Sequence, residues 1–550
     1  MHGLVLVVEA HSRAPMMPAW DPKTSATLPR DAGDVAKERA AETGCRGVGR
    51  PNTRGIYPKG CTMIDAKKKI SFRDVFLAVL CVVFTCDAAA PAAAIGNSQF
   101  FWWILLTFTF LLPYGFVVAE LGTTYDSEGG LYDWVRDAFG DRWGARVAWL
   151  YWINYPIWLA SMAVLFPSTM AGVIGAELSP VAQIVIELVF IWAVVWLGNF
   201  RVEDSGWLMN SVAVLKVAIA MTIGIAGLWY ATTHGFVNPI TFKSLIPDFA
   251  DTNSLSYLSI ILFNFMGFEV VTTFAGDMNN PERDMPLAIL LGGFTIAAIY
   301  LFSSFGIGAA IPVDQISTDS GLTDALAVMV GSGNPLYAIM SVAFLLTLFG
   351  NGVSWAFGVN SAAFYAARQG NLPHWFGIES KRTHMAIGAS VTNGAVASVL
   401  VVMQTFLAGA VGNVFWALFS MQLVFEMTSY IPMFPAMLKL RAVDPDRHRP
   451  FRAPGSDRLM RVLCWLPVVE IVLSMVATIV PLNASPAELS KIPALVGVVL
   501  FFLAGEVVRV VSARGRTEEY KGLTPELAAA RNAQAACDAE PQTSETEGEE

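Results

Sequence analysis

Seven ionisable side chains stand within the long apolar stretches of this 550-residue chain: Asp87, Glu120, Glu187, Lys216, Glu269, Glu426 and Glu470. A charge at membrane depth costs about 2.5 to 3.5 kcal/mol on insertion scales, so each needs a partner or a cavity. Glu120 and Glu470 are read as lying near span ends, where snorkelling or helix capping accounts for them. Lys216 is different, because it lies ten residues into its span, within Val214-Leu215-Lys216-Val217-Ala218. A fixed ammonium there can stand where a sodium ion would sit, or can titrate. Glu426 falls in the fifth span of the second half as Lys216 does in the first, which leaves a pair between them open.

Two of the apolar stretches are marked for interruption. In Cys86-Asp87-Ala88-Ala89-Ala90-Pro91 the proline has no N–H for the carbonyl of residue 87 and its ring crowds that carbonyl. The helical ladder is therefore predicted to open at Asp87. In Phe265-Met266-Gly267-Phe268-Glu269 the glycine lowers helix propensity and an acidic residue follows. Breaks in the first and sixth spans point to a transporter site, since freed N–H groups bind carboxylates and freed carbonyls bind cations. Proline kinks and glycines also occur in membrane helices that bind nothing, and either break alone reads equally well that way.

The elements that carry these residues are membrane helices. Hydrophobic residues make up 54% and charged residues 15%, against about 25% charged in soluble proteins. The apolar blocks reach about 20 residues, the length that crosses a hydrocarbon core. Twelve spans are predicted, near 72–97, 100–122, 146–174, 180–199, 206–230, 255–277, 286–312, 335–366, 385–408, 411–438, 461–482 and 492–511. With a cytoplasmic N-terminus, the inner loops carry Arg136, Arg142, Arg201, Arg283, Arg368, Lys381, Arg382 and the cluster from Lys439 to Arg458, while the outer loops carry Lys243 and Lys491. That asymmetry predicts a multi-pass protein of the cytoplasmic membrane with both termini inside.

The chain divides into residues 1–62, a polar extension expected to be disordered; 63–230, spans 1 to 5; 231–440, spans 6 to 10; 441–511, spans 11 and 12; and 512–550, a disordered acidic tail. Met63 stands just before Lys67-Lys68-Lys69, and a start there would leave residues 1–62 outside the protein. Peptides from that stretch in the native protein would exclude it.

Several function classes lose support. A net charge of −9 offers no basic face to nucleic acid. The six histidines fall in tails or loops and the six cysteines are scattered, so a membrane enzyme lacks its base, nucleophile pattern or metal ligands. No cofactor or metal is expected. Gly306-Ile307-Gly308 late in a span is explained by helix packing. The tails hold no recognisable receiver domain, which weighs against a non-transporting sensor.

From about residue 70 to 510 the chain resembles the amino acid-polyamine-organocation (APC) permeases. The likeness rests on Ala119-Glu120-Leu121-Gly122, Glu128-Gly129-Gly130-Leu131-Tyr132-Asp133-Trp134-Val135, Ala138-Phe139-Gly140 and Arg142-Trp143-Gly144. It continues in Gly267-Phe268-Glu269, Asn280-Pro281-Glu282-Arg283-Asp284-Met285-Pro286 and Ala367-Arg368-Gln369-Gly370-Asn371-Leu372-Pro373. Gly140-Asp141-Arg142-Trp143-Gly144 and the proline-marked first span look most like the glutamate/GABA antiporter branch. Asp87-Ala88-Ala89-Ala90-Pro91 departs from the small Gly/Ser-rich motif that most members carry there.

The resemblance implies an all-α polytopic membrane protein with a leucine-transporter-like fold, spans 1–5 and 6–10 as inverted repeats with two helices appended. It implies that Glu269 is the gating glutamate, that Phe263 closes over the substrate, that Trp355 and Tyr151 are aromatic gates, and that Lys216 replaces a sodium ion. Lipid or core packing is the plainer reading of Phe263, Trp355 and Tyr151. The expected function is secondary transport of an amino acid or its decarboxylated amine by alternating access, as an antiporter or with protons. Substrate would meet Asp87, Ala88, Ala89 and Ala90 on the first span and Phe263, Met266, Gly267 and Phe268 on the sixth. Its carboxylate would lie near Ala89 to Ala92 and its ammonium near carbonyls at Asp87 and Phe265 to Gly267. An organic amine or polyamine is the alternative, favoured if Asp87 points into the site.

Overall fold

The computed structural model describes residues 71–514 apart from 126–128, 201, 273–277, 279 and 408–413; for 202–209, 253–254, 405–407 and 514 it describes the backbone alone. The extension at 1–62, the start at Met63 and the tail beyond residue 514 lie outside the described residues. The last helix runs three residues into the stretch assigned to that tail.

The chain enters its first helix, α1 (Phe72–Val83), through a capping box in which Ser71 and Asp74 satisfy each other's backbone N–H groups. A short α2 (Ala89–Ala93) follows, then α3 (Gln99–Thr124), whose turn at Thr107–Leu111 is a π-helix. After α4 (Leu131–Phe139) come α5 (Asp141–Ile174), α6 (Pro180–Leu197) and α7 (Val202–His234). The sixth span is in pieces: α8 (Thr252–Ser256), α9 (Leu258–Phe263) and α10 (Glu269–Thr272). The longer helices that follow are α11 (Pro281–Ala310), α12 (Gly321–Val330), α13 (Pro335–Arg368), α14 (Ile387–Leu407), α15 (Val414–Tyr430), α16 (Met433–Val443), α17 (Asp457–Ile479) and α18 (Ile492–Arg514).

Among the described residues ten helices are long and apolar enough to cross a membrane. The first and sixth spans are missing from those ten because they are broken into pieces too short to qualify. The surface fits lipid as solvent: Ile104, Phe108, Val189, Trp196, Leu500 and Val507 face outward, while Asn154, Asn264, Gln422 and Glu426 are fully buried.

Inside, α15 runs along α5, α13 lies on α5 and α7, and α1 packs against both α7 and α11. Helices α7 and α11 meet backbone to backbone. A Cβ on Gly306 would run into the main chain of Ile223 and Gly224, and one on Gly227 into Gly306. Gly306 is thus a packing glycine, as the sequence suggests, whereas Gly308 has open space where a Cβ would stand.

Candidate functional site

The first break opens earlier than its proline implies. Helix α1 stops at Val83, so the chain leaves the ladder at Phe84, three residues before Asp87. The cause lies in other helices. Lys216 Nζ on α7 donates to the freed carbonyls of Cys81 and Phe84 at 2.5 and 2.7 Å and to Asn351 Oδ1 on α13 at 2.6 Å. The Thr85 N–H donates to the Tyr300 hydroxyl of α11 at 2.8 Å, and that hydroxyl donates back to the Thr85 carbonyl at 3.0 Å. An ammonium and a phenol replace the missing ladder bonds, so the unwound backbone is fully accounted for at Thr85. With its three protons committed, Lys216 does not pair with Glu426, the arrangement the sequence leaves open.

In the sixth span α9 ends at Phe263 and α10 begins at Glu269. Gly267 has φ of +104°, a left-handed conformation that glycine adopts without strain, and the Trp355 ring lies 2.9 Å from where a Cβ would stand. Its N–H donates to the Tyr114 hydroxyl at 3.2 Å. Three phenols from three helices converge on Glu269. Tyr114 of α3 donates to Oε2 at 2.8 Å, and Tyr151 of α5 and Tyr430 of α15 donate to Oε1 at 2.7 and 2.6 Å. Glu269, only 2% exposed, ties α10 to the surrounding bundle.

The expected site residues gather at these two breaks. Tyr151 and Trp355 reach the sixth span at Glu269 and Gly267. Phe263 packs edge-on against Phe419 of α15 with ring centres 5.5 Å apart. Met266 and Phe268 are buried, the latter against Tyr114 at 5.8 Å. Ala88, Ala89 and Ala90 are buried at the start of α2, whose first N–H groups partly serve the turn itself: Ala89 N donates to Cys86 and Ala92 N to Ala88. Asp87 is buried in the gap, with Lys216 and Thr85 as its polar neighbours, and among the described residues neither carboxylate oxygen has a hydrogen-bond partner.

Two acidic residues depart from their sequence reading. Glu120 is neither a snorkelling group nor a cap. It is 1% exposed, receives both Arg441 Nε at 2.7 Å and Arg441 Nη2, takes the Ala453 N–H at 2.7 Å and lies 3.4 Å from Arg449. Glu470 is thirteen residues past the start of α17, mid-helix rather than at an end, beside Thr109 of the π turn. Glu187 accepts from Gln404 of α14 at 3.0 Å.

The Tyr132 hydroxyl of α4 donates to Gln369 at 2.7 Å and accepts from Asn371 at 2.7 Å. Burial raises this phenol above its ordinary range, which keeps its proton in place for the bond. The segments around Tyr132 and Asn371, remote in sequence, thus meet in space. At the other end, near the start of α3, a cavity of about 360 Å³ is lined by Asn97, Ser98, Trp102, Lys243, Asp248 and Asp251.

Sequence reasoning missed Tyr114, Tyr300, Asn351 and Tyr430. The available signal was a phenol or amide deep in an apolar span, which must find a partner when buried.

A family model described as amino acid permease matches residues 70–503. The chain is 46% identical over 448 residues to a protein of Lactococcus lactis subsp. lactis (strain IL1403) named probable agmatine/putrescine antiporter AguD, covering 81% of this chain and 96% of that one. It is 20% identical to the glutamate/gamma-aminobutyrate antiporter of the same strain, over 77% and 86% of the two chains. Among solved structures, MhsT in complex with L-phenylalanine superposes with a TM-score of 0.54 at 15% identity, covering 75% of this chain and 99% of that one, a likeness of fold.

Proposed function

We infer the function from one premise: the chain belongs to the amino acid permease family. We propose that it exchanges small organic amines of the agmatine and putrescine kind across the cytoplasmic membrane by alternating access. The observation that carries this is Asp87. A carboxylate held in the gap between α1 and α2, 4% exposed and with neither oxygen hydrogen-bonded among the described residues, favours a ligand that brings a positive charge and N–H donors. Lys216 is near enough for its charge to act on Asp87 but gives it no hydrogen bond, since its protons go to Cys81, Phe84 and Asn351. The 46% identical relative bears a name for exchange of such amines, which supports the same reading.

In this mechanism the amine approaches from the side of the 360 Å³ cavity while the Glu120, Arg441 and Arg449 cluster closes the opposite end. It binds between the two breaks, where Phe263 and Trp355 shield it from one side. The Glu269 carboxylate, gripped by Tyr114, Tyr151 and Tyr430, holds α10 in place until the bundle rearranges. Lys216 keeps α1, α7 and α13 in register throughout. Purified protein in liposomes tests the reading, with labelled agmatine, putrescine, arginine, glutamate and GABA, with and without internal counter-substrate, at two pH values. Amine uptake that depends on internal amine is the expected result. Uptake of amino acids alone, or amine uptake driven by a proton gradient without counter-substrate, would replace it.

A further inference from the structure

One face of α15 carries Phe419, Gln422, Glu426 and Tyr430. Steps of three, four and four residues keep these on a single stripe of the helix. Both ends of the stripe are fixed against the sixth span. Phe419 packs on Phe263, where α9 stops, and Tyr430 donates to Glu269, where α10 starts. Gln422 and Glu426 therefore lie alongside the unwound residues Asn264 to Phe268. Helix α2 also packs on α9, which brings the first break next to the second.

This layer is polar and unpaired. Asn264, Gln422 and Glu426 are each 0% exposed. Among the described residues both side-chain polar atoms of each lack a hydrogen-bond partner. Glu426 feels the like charge of Glu269, which is itself held by phenols, and Lys216 is engaged elsewhere. Three such groups in one layer are too costly to be packing, because a buried polar group without a partner loses its hydration and gains nothing.

Their chemistry fits one kind of ligand. The layer offers two carboxylate oxygens from Glu426 and one amide oxygen each from Gln422 and Asn264. An alkylammonium or guanidinium is donor-only and positively charged, so it satisfies these acceptors and the charge together, although not the Gln422 and Asn264 NH2 groups, which need an acceptor such as Glu426 itself. A carboxylate in the same place would face Glu426. We propose that Asn264, Gln422 and Glu426 form a subsite for the second cationic group of an extended dication, a diamine or amino-guanidine. The proposal rests on the amine-exchange reading above and assigns the recognition of the second charge to α15.

The test compares two competitors of equal chain length, putrescine and butylamine, which differ in the second amine. Full-length protein in liposomes exchanges labelled agmatine while each competitor is titrated, and binding to the purified protein is measured in parallel so that slow variants are still scored. In the wild type putrescine competes more strongly than butylamine. In Glu426→Gln this preference is expected to fall tenfold or more, and in Gln422→Leu by a smaller factor. A preference unchanged in Glu426→Gln, in binding as well as exchange, overturns the subsite while leaving amine exchange intact. A wild type that takes neither agmatine nor putrescine overturns the functional reading itself.

Discussion

Tyr114 and Tyr300 hold each other's half of the molecule open. The Tyr300 hydroxyl, on the seventh span, accepts the Thr85 N–H in the break of the first, and the Tyr114 hydroxyl, on the second span, accepts the Gly267 N–H in the break of the sixth. Second and seventh spans are counterparts in an inverted repeat, so the two contacts are one device used twice. Tyr300→Phe is expected to leave the Thr85 N–H and carbonyl unpaired and to cost about 1 to 3 kcal/mol of stability. Denaturation of the purified protein reads this directly, and a midpoint equal to wild type would show that the break needs no support.

Lys216→Met removes the donor for three buried oxygens, those of Cys81, Phe84 and Asn351. Exchange should be abolished or lose its normal coupling while the protein still inserts and purifies. Wild-type rates with unchanged pH dependence in this variant would strip Lys216 of any role in transport.

Phe263 and Glu269 are expected to separate affinity from turnover. Phe263→Ala is expected to weaken ligand binding by about 1 to 2 kcal/mol if an aromatic or cation–π contact is lost. Glu269→Ala, which frees Tyr114, Tyr151 and Tyr430 at once, should lower exchange far more than binding. Unchanged affinity in the first variant, or unimpaired turnover in the second, returns that residue to ordinary packing.

The Glu120 cluster should behave as a buried ion pair. Glu120→Ala leaves Arg441 and Arg449, 13% and 8% exposed, without their anion and is expected to cost about 3 to 5 kcal/mol. Denaturation of Glu120→Ala and of the double variant Glu120→Leu/Arg441→Leu, which removes the pair together, provides the comparison. A double variant no more stable than the single one argues against a charge effect.

Membrane orientation follows from the loop charges and is checked by single cysteines at Gln315 and Asp446, both exposed. In intact cells an impermeant thiol reagent should label position 315 and spare 446. The reverse pattern would invert the topology.

How much of this was legible varies with the kind of signal. The spans and the presence of both breaks were readable from Pro91 and Gly267, but the first break opens at Phe84, where Lys216 and Tyr300 of other helices hold it, and no local signal marks that point. Lys216 stood out because a cation in an apolar run has no bland explanation, and its acceptors then had to be backbone carbonyls or amides. Its partner Asn351 did not stand out, nor did Tyr114, Tyr300 or Tyr430, since a tyrosine in a membrane helix resembles any other large apolar residue until its hydroxyl is seen to bond. Glu120 and Glu470 were misread for different reasons. The arginines that hold Glu120 lie more than 300 positions along the chain, at Arg441 and Arg449, and no periodicity links them. Glu470 was assigned to a helix end although its span places it at the middle.

The contact between Gly227 and Gly306 works as a caliper. Tyr300 sits six residues before Gly306 on α11, and Lys216 eleven residues before Gly227 on α7. These are the two side chains that reach across to the unwound first span, at Thr85 and at Cys81 and Phe84. Their reach is finite, and the gap they must bridge depends on how closely α7 and α11 approach. A single methyl group at Gly306 would prise the two backbones apart at a point remote from every charge. Both grips would then slacken together, so the hydrogen atom that stands in for a side chain at Gly306 sets the tolerance of the site as firmly as the Lys216 ammonium sets its charge.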